Sequence, residues 1–292
     1  MSEVHVVVAG KNRLGEVPVW SPTRKLLFWI DVREPALYAH DPGSGSVRAY
    51  PLPEVVGSFC ETRSGRLLLA LKSGLFFLEP ESGALQPWFD PEPQLPNNRL
   101  NDGKCDRQGR FWVGSMNDGD RIPSGTLYSV RGDGQATAHF SGITIPNSLA
   151  WSPDGRRMYF ADTPTKRILV YDFDVDDGVA HSARTFLDMS GHAGRPDGAT
   201  VDADGCLWSA EIHAGRVVRY TPDGRQDYVV QLPVTGVTAC AFGGSHFETL
   251  YITTATQGLT EQARNEQPLA GALFAVDVGI RGVAEAPFAE PF

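Results

Sequence analysis

Cysteine is scarce in this sequence, with four residues in a chain of 292. Cys60, Cys105, Cys206 and Cys240 are far apart and form no C-x-x-C pair. This spacing excludes a zinc knuckle and a disulfide framework as the basis of the fold. We therefore expect four free, buried thiols.

Long hydrophobic runs and an excess of basic charge are also missing. No segment approaches the roughly 20 apolar residues of a membrane-spanning helix, and the first apolar run is too short for a secretory signal. Lysine and arginine number 26 against 35 acidic residues, a formal net charge of −9. That balance argues against a nucleic-acid or membrane surface. The sequence predicts a cytoplasmic protein with neither kind of partner.

Turn residues, by contrast, are plentiful, with 31 glycines and 21 prolines. Amphipathic helical patterns are hard to find, so short strands and many turns are expected. A turn of the form S-P-x-G or D-x-x-G, or a looser variant of it, recurs six times, each time before a short hydrophobic strand. The turn positions are Arg24, Gly65, Gly109, Gly155, Gly205 and Phe247. Their spacing of 41 to 50 residues is typical of one four-stranded propeller blade.

The repeat predicts one all-β domain over residues 1–292, a six-bladed β-propeller with four antiparallel strands in each blade. The last copy runs out after G-A-L-F-A-V-D-V-G, while V-H-V-V-V-A-G near the start has no partner of its own. We expect this N-terminal strand to close the last blade. A seven-bladed propeller and a pair of β-sandwiches are the weaker alternatives.

Equivalent positions of the repeat point to a polar cluster. The first strand of a blade is the innermost, so residues at one repeat position form a ring around the axis. Eight residues before each turn stand Glu16, Gly57, Asn101, Asn147, Asp197 and Ala239. Two carboxylates and two amides are oxygen ligands suited to Ca²⁺, Mg²⁺, Mn²⁺ or Fe²⁺. For any single one of them, capping a turn is the competing interpretation.

Other catalytic patterns are weak. The seven histidines form no H-E-x-x-H motif, which argues against a histidine-rich zinc site. A G-x-S-x-G nucleophile elbow is missing as well. His192 and His213 lie near the fifth inner strand, where they could face the channel mouth or sit in ordinary surface loops.

Five motifs carry a family resemblance. They are L-G-E-V-P-V-W at 14–20, N-N-R-L-N-D-G-K at 97–104, I-P-N-S-L-A-W-S at 145–152, R-P-D-G at 195–198 and Q-P-L-A-G-A-L-F at 267–274. Together they resemble the regucalcin/gluconolactonase family, also called the senescence-marker-protein family, over nearly the whole chain.

This resemblance implies a six-bladed propeller with one divalent metal ion on its axis and the hydrolysis of a sugar aldonolactone. It implies Glu16, Asn147 and Asp197 as metal ligands, and Arg99 and Asn101 as substrate contacts. We assign Asp197 as the general base. The ion is Ca²⁺, Zn²⁺, Mn²⁺, Mg²⁺ or Fe²⁺, and the partner is a small sugar lactone bound by a monomer or weak homodimer.

One segment departs from the family pattern. Where mammalian regucalcin has a glutamate-rich lid, this chain has the shorter S-M-N-D-G-D-R-I-P-S-G at 115–125, in which Asp118 and Asp120 are weak candidates. This favours a substrate closer to that of bacterial aldonolactonases. Two alternatives stay open: a calcium-binding regulatory or interaction propeller without lactonase activity, and an organophosphate or aryl-ester hydrolase on a related propeller.

Overall fold

The computed structural model describes residues 3–290. Over these residues the chain forms six four-stranded antiparallel sheets, which confirms the predicted six-bladed β-propeller. The described residues divide into two compact units, 3–53 with 189–284 and 54–188 with 285–290. The single domain over 1–292 stays a prediction.

The first unit contains three sheets. One sheet is β2 to β5, in order Gly15–Ser21, Leu26–Asp31, Ala36–His40 and Val47–Pro51. A second is β18 to β21, in order Arg195–Val201, Leu207–Ile212, Arg216–Tyr220 and Gln226–Gln231. The third joins β22, β23 and β24 to β1, which are Val237–Gly243, Thr249–Thr254, Leu273–Asp277 and His5–Val8. A short helix, α1, spans Glu261–Glu266.

The second unit contains the other three sheets. One is β6 to β9, in order Val56–Glu61, Leu67–Leu71, Gly74–Leu78 and Leu85–Phe89. The next is β10 to β13, in order Asn98–Cys105, Phe111–Asn117, Gly125–Val130 and Ala136–Ile143. The last is β14 to β17, in order Pro146–Trp151, Arg157–Asp162, Arg167–Asp174 and Val179–Asp188, with a 3-10 helix at Thr163–Thr165.

The strand near the chain start closes the last sheet, as predicted. β1 pairs antiparallel with β24, with His5 opposite Ala275 and Val6 opposite Phe274. Val6 also packs against the buried core of this sheet. The sheet is therefore assembled from segments that lie far apart in sequence.

The six predicted turns connect the first and second strands of each sheet. Left-handed backbone occurs at the predicted position in five of them, including Gly109, Gly155 and Phe247. In the first repeat it falls at Lys25, φ 56°, one residue after the predicted Arg24. The sequence S-P-T-R-K has no glycine there, so a lysine adopts this conformation at some conformational cost.

Tryptophan rings and the four cysteines lie in the core, among many aliphatic side chains. Trp112, Trp151 and Phe173 pack together with ring centroids 5.5 to 5.9 Å apart, and Trp20 stacks on Tyr251 in the first unit. The four cysteines are free and buried, as expected.

The first strand of each sheet is hydrogen-bonded to a single strand of its own sheet and packs sideways against first strands of other sheets. In the first unit, β22 lies beside β2 and β18. In the second unit, β10 lies beside β6 and β14. Residues at equivalent positions of neighbouring first strands are thereby brought close together.

Candidate functional site

The position selected by the repeat falls near the start of each first strand, at a β-bulge. The strand register shifts between Glu16 and Val19, and again between Leu100 and Gly103. Similar shifts occur between Val56 and Ser58, Asn147 and Ala150, Pro196 and Ala199, and Val237 and Ala239. A bulge interrupts strand pairing and turns side chains away from the ladder, and bulges are frequent next to active sites.

Two of the bulges hold a strained residue directly after a predicted metal ligand. Val17 has φ 48° and Ser148 has φ 60°. Left-handed backbone is costly for any residue other than glycine, and most of all for a β-branched one. The strain follows Glu16 in one unit and Asn147 in the other, so these two of the three predicted ligands share a backbone geometry as well as a repeat position.

In the second unit, the structure brings Arg99, Asn101 and Asn147 together. Nη1 of Arg99 donates to Oδ1 of Asn101 at 2.7 Å. Nδ2 of Asn101 donates to the carbonyl of Pro146 at 2.9 Å and lies 3.5 Å from Oδ1 of Asn147. Arg99 is 4% and Asn147 is 7% exposed, so the three form a nearly buried polar chain from β10 to β14.

Arg99 also binds the predicted lid segment. Its Nε lies 3.2 Å from Oδ2 of Asp118, and its Nη2 donates to Oδ1 of Asp118 at 3.3 Å. A cavity of about 430 Å³ opens beside this pair and is lined by Asp118, Asp120 and Lys72. Asp118 thus has a definite partner, which its place in the lid did not reveal, while Asp120 only lines the cavity.

A buried network anchors the base of the lid. Nδ2 of Asn98 donates to Oε1 of Glu92 at 2.9 Å and to the carbonyl of Ser124 at 3.2 Å. The Ser124 hydroxyl donates back to Oδ1 of Asn98 at 2.9 Å. Burial raises the pKa of Glu92, although hydrogen bonds from Ser115 and Asn98 oppose the shift. Hydrogen bonds thus tie the C-terminal end of the lid segment to β10.

In the first unit, Glu16 and Asp197 lie on β2 and β18, the two strands that flank β22. Glu16 is half-buried and Asp197 is 5% exposed. Close approach of these strands needs small residues, because a Cβ on Gly198 would lie 2.5 Å from Cβ of Ala239. The Thr238 hydroxyl donates to the carbonyl of Gly15 at 2.6 Å and ties β22 to β2.

The two candidate histidines lie in the first unit. His213 has left-handed backbone, φ 73°, and burial together with the charge of Arg195 lowers its pKa. The backbone N–H of His192 bonds the carbonyl of Met189. These contacts give neither histidine a chemical role.

Two residues that sequence reasoning passed over lie against the candidate residues of the second unit. Asp102, next to Asn101, accepts the backbone N–H of Leu149 at 3.2 Å. Burial raises the pKa of Asp102 to about 6, against the opposing charge of Lys104. Thr163 accepts a hydrogen bond from Nδ2 of Asn147 at 2.8 Å. Asp102 stands in the quoted N-D-G-K motif, whereas nothing in the sequence marks Thr163.

Comparison with known proteins decides the family. Residues 14–256 match the model of the SMP-30/Gluconolactonase/LRE-like region. The chain belongs to this family. The resemblance inferred from the five motifs is thereby confirmed.

Curated relatives match over nearly the full chain. A 6-deoxy-6-sulfogluconolactonase from Pseudomonas putida is 36% identical, with 97% of each chain covered. An L-arabinolactonase from Azospirillum brasilense is 35% identical, covering 96% of this chain and 93% of that protein. A regucalcin from Xenopus laevis is 31% identical, with 98% of each covered. The relatives named as lactonases support the expectation of a lactone-hydrolysing enzyme.

A solved structure agrees with the fold. A calcium-binding protein described as regucalcin, from Agrobacterium tumefaciens, has a TM-score of 0.94 and 30% identity, covering 98% of this chain and 97% of that one. Neither helix in residues 3–290 has the length and apolar character needed to cross a membrane.

The chemistry of the donor set fits a divalent cation. Glu16, Asn147 and Asp197 supply two carboxylates and one amide, all hard oxygen donors. Within residues 3–290, no group of three or more His, Cys, Asp and Glu side chains is placed to hold a metal ion. The predicted set has only two residues of those types, so it depends on the amide oxygen of Asn147 as its third donor.

Proposed function

We propose that this protein is a metal-dependent sugar lactonase that hydrolyses an aldonolactone to the aldonic acid. The observation that carries the proposal is the repeat position. Glu16, Asn101, Asn147 and Asp197 all lie at the bulges of first strands, in a chain whose family includes proteins named as lactonases.

Glu16, Asn147 and Asp197 would hold the divalent ion. When bound, such an ion polarises a lactone carbonyl and stabilises the developing oxyanion, which lowers the barrier by several kcal/mol. Asp197 is nearly buried and carries a carboxylate, so it can accept the proton of an attacking water as the general base.

Arg99 and Asn101 orient the sugar. Arg99 lines the cavity beside the lid and is held by Asp118, and Asn101 is held by Arg99 and the carbonyl of Pro146, so both groups are preorganised. Directed hydrogen bonds of this kind select a polyhydroxylated ring better than apolar walls do. The neighbouring lid, residues 115–125, would then influence which sugar fits.

A direct test is the release of acid from a panel of lactones, with and without EDTA. The panel contains glucono-, xylono-, arabinono- and galactonolactone together with 6-deoxy-6-sulfogluconolactone. We expect turnover of at least one member that EDTA abolishes and that added divalent metal restores. Asp197→Asn should greatly reduce this turnover, because it removes the proposed general base. Asp133→Asn makes the same chemical change in an exposed turn and should keep full activity, so it is the matched control.

A calcium-binding function without catalysis is the second candidate, because relatives are named regucalcin and one solved relative is described as calcium-binding. Tight metal binding without turnover of any lactone would favour it. Turnover of aryl esters or organophosphates in preference to lactones would favour the third candidate, an aryl-ester or organophosphate hydrolase.

The cytoplasmic location and the monomeric or weakly dimeric state stay predictions.

A further inference from the structure

The side-chain amide of Asn147 has two chemically different ends. Oδ1 can bind a metal ion, whereas the hydrogens on Nδ2 prevent it from doing so. A carboxylate such as that of Glu16 has no such problem, since either oxygen can serve. An asparagine ligand therefore needs neighbours that determine which end faces the ion.

Those neighbours form a hydrogen-bonded chain, here called the amide relay, made of Arg99, Asn101, Asn147 and Thr163. A guanidinium only donates hydrogen bonds, so its 2.7 Å contact sets Oδ1 of Asn101 toward Arg99. Nδ2 of Asn101 must then point the other way, and it donates to the carbonyl of Pro146. The orientation of the first amide is thus fixed at both ends.

The orientation of Asn101 in turn determines the orientation of the second amide, that of Asn147. Nδ2 of Asn101 lies 3.5 Å from Oδ1 of Asn147, so a flipped Asn147 would set two N–H donors against each other. Nδ2 of Asn147 instead donates to the Thr163 hydroxyl at 2.8 Å. Thr163 is 6% exposed. Its hydroxyl could donate or accept; it accepts here because Asn101 sets Oδ1 of Asn147 the other way, and it then holds Nδ2 at the end of the relay.

An equivalent position elsewhere in the chain provides an internal comparison. The backbone N–H of Thr163 bonds the carbonyl of Ile145, and Val32 makes the same bond to Leu14 beside Glu16. The aspartates that precede them, Asp162 and Asp31, also accept matching backbone N–H groups. The position holds valine beside a carboxylate and threonine beside an amide.

We infer that Thr163 is a positioning residue for the metal site, which orients Asn147 through the amide relay so that Oδ1 is its ligand atom. The inference rests on the proposed function, because it takes Asn147 as a ligand. It also assigns Arg99 a second task, since the guanidinium that faces the cavity begins the relay.

Binding of Mn²⁺ to metal-free protein, followed by the electron paramagnetic resonance of the free ion and without any substrate, tests the inference. Thr163→Val removes the hydroxyl and keeps the shape, and Val32 shows that valine fits this backbone. We expect Mn²⁺ to bind 10- to 100-fold more weakly, the usual effect of losing a group that orients a ligand. Thr163→Ser, which retains the hydroxyl, should stay within about twofold of the original affinity.

Thr165→Val is the matched control, because it makes the same chemical change in the same 3-10 helix. Its hydroxyl bonds the carbonyl of Asp162 and lies at an exposed position, so Mn²⁺ affinity should not change. Thr163→Ala, which also lacks the hydroxyl, replaces the valine variant should the latter fail to fold.

Unchanged Mn²⁺ affinity in Thr163→Val would overturn the inference, and so would an equal loss in Thr163→Ser. Lack of Mn²⁺ binding by the original protein would overturn it as well. Mn²⁺ binding without lactone hydrolysis would contradict only the proposed function, since the relay is read from affinity alone.

Discussion

Strand β18 has an aspartate near each end, Asp197 near its start and Asp202 just after it, and the two lie in different surroundings. Asp202, just after the strand, accepts the indole N–H of Trp208 at 2.8 Å, Nε of Arg219 at 2.7 Å and two backbone N–H groups of its turn. Asp197, near the strand start, lies at a bulge whose pairing is broken. Asp202 thus supports the fold, whereas Asp197 is the residue proposed above as metal ligand and general base.

The end of β10 repeats the stabilising pattern. Asp106 accepts the indole N–H of Trp112 at 2.9 Å and Nε of Arg110 at 2.5 Å. After β14, where Met158 stands in place of the tryptophan, the capping residue is Ser152, whose hydroxyl accepts the backbone N–H of Arg157 and donates to Oδ1 of Asp154. The aspartate thus occurs with the tryptophan it can satisfy. Residues at the end of these first strands therefore serve stability, while residues at the strand starts are the ones proposed to serve function.

The largest effect should follow from breaking the stabilising end. Asp202→Ala leaves Arg219 and the Trp208 indole without their buried acceptor. Arg219 keeps Asp204 and Asp227 as partners, but each buried group left without its acceptor costs about 1–3 kcal/mol, so the urea midpoint should fall strongly while the folded fraction keeps its kcat. Asp204→Ala is the control, because Asp204 pairs with the same Arg219 from an exposed position; a loss of equal size there would contradict the comparison.

At Asp197, near the start of β18, we expect the opposite result, a loss of activity with little loss of stability. Asp197→Asn retains size and one ligand oxygen but removes charge and basicity. At saturating metal, kcat should fall by about 100-fold or more, while the melting temperature changes little. Steady-state kinetics and circular dichroism measure the two quantities, and a near-normal kcat would eliminate Asp197 as the general base.

A pH titration tests whether the turn after β6, like the ends of β10 and β18, serves stability. There Glu290 accepts the backbone N–H of Ser64 and pairs with Arg66. Burial opposes the shift, but hydrogen bonds from Ser64, Thr62 and Arg66 lower the pKa of Glu290 from 4.5 to about 2. Its contribution to stability is complete above pH 4.5 and disappears as the pH falls through 2.

The unfolding free energy of the original protein should fall between pH 4.5 and 2. In Glu290→Gln this fall should be smaller by on the order of 2 kcal/mol. Urea unfolding at several pH values measures this change. Lactone hydrolysis at neutral pH should not respond, because Glu290 lies at a stabilising turn. An unchanged slope would show that the carboxylate has no part in acid unfolding.

The smallest expected effect concerns substrate binding. Arg99→Ala, assayed at saturating metal so that the amide relay does not limit activity, should raise KM roughly tenfold with little change in kcat. An arginine that touches peripheral hydroxyls binds the ground state and the transition state alike. A collapse of kcat at unchanged KM would instead move Arg99 into the catalytic set.

The sequence was most informative where the repeat constrains position. Counting from turns placed Glu16, Asn101, Asn147 and Asp197 at equivalent points of four first strands, and the structure puts a bulge at each of them. The closing strand β1 was predicted because its pattern had no other partner. These features depend on periodicity, which a single sequence displays directly.

Contacts between particular side chains were beyond this reasoning. Thr163 meets Asn147 because β15, which ends at Asp162, pairs with β14, so the next residue lies beside the start of β14; the pattern of the sequence does not show which side chains meet there. Asp118 reaches Arg99 through the lid, whose conformation depends on the buried Asn98 network. The metal ligation by Glu16, Asn147 and Asp197 stays a prediction for the same reason.

The pairing of β1 with β24 has a consequence for biosynthesis. At ordinary translation rates the ribosome makes β24 roughly 10 to 60 s after β1. During that interval the hydrophobic segment His5–Val8 has no strand to pair with, and an unpaired strand edge invites association with other chains. The nascent protein thus exposes an unpaired apolar strand until its partner β24 has been synthesised. The yield of folded protein in cells should therefore depend on chaperones that bind this strand in the meantime.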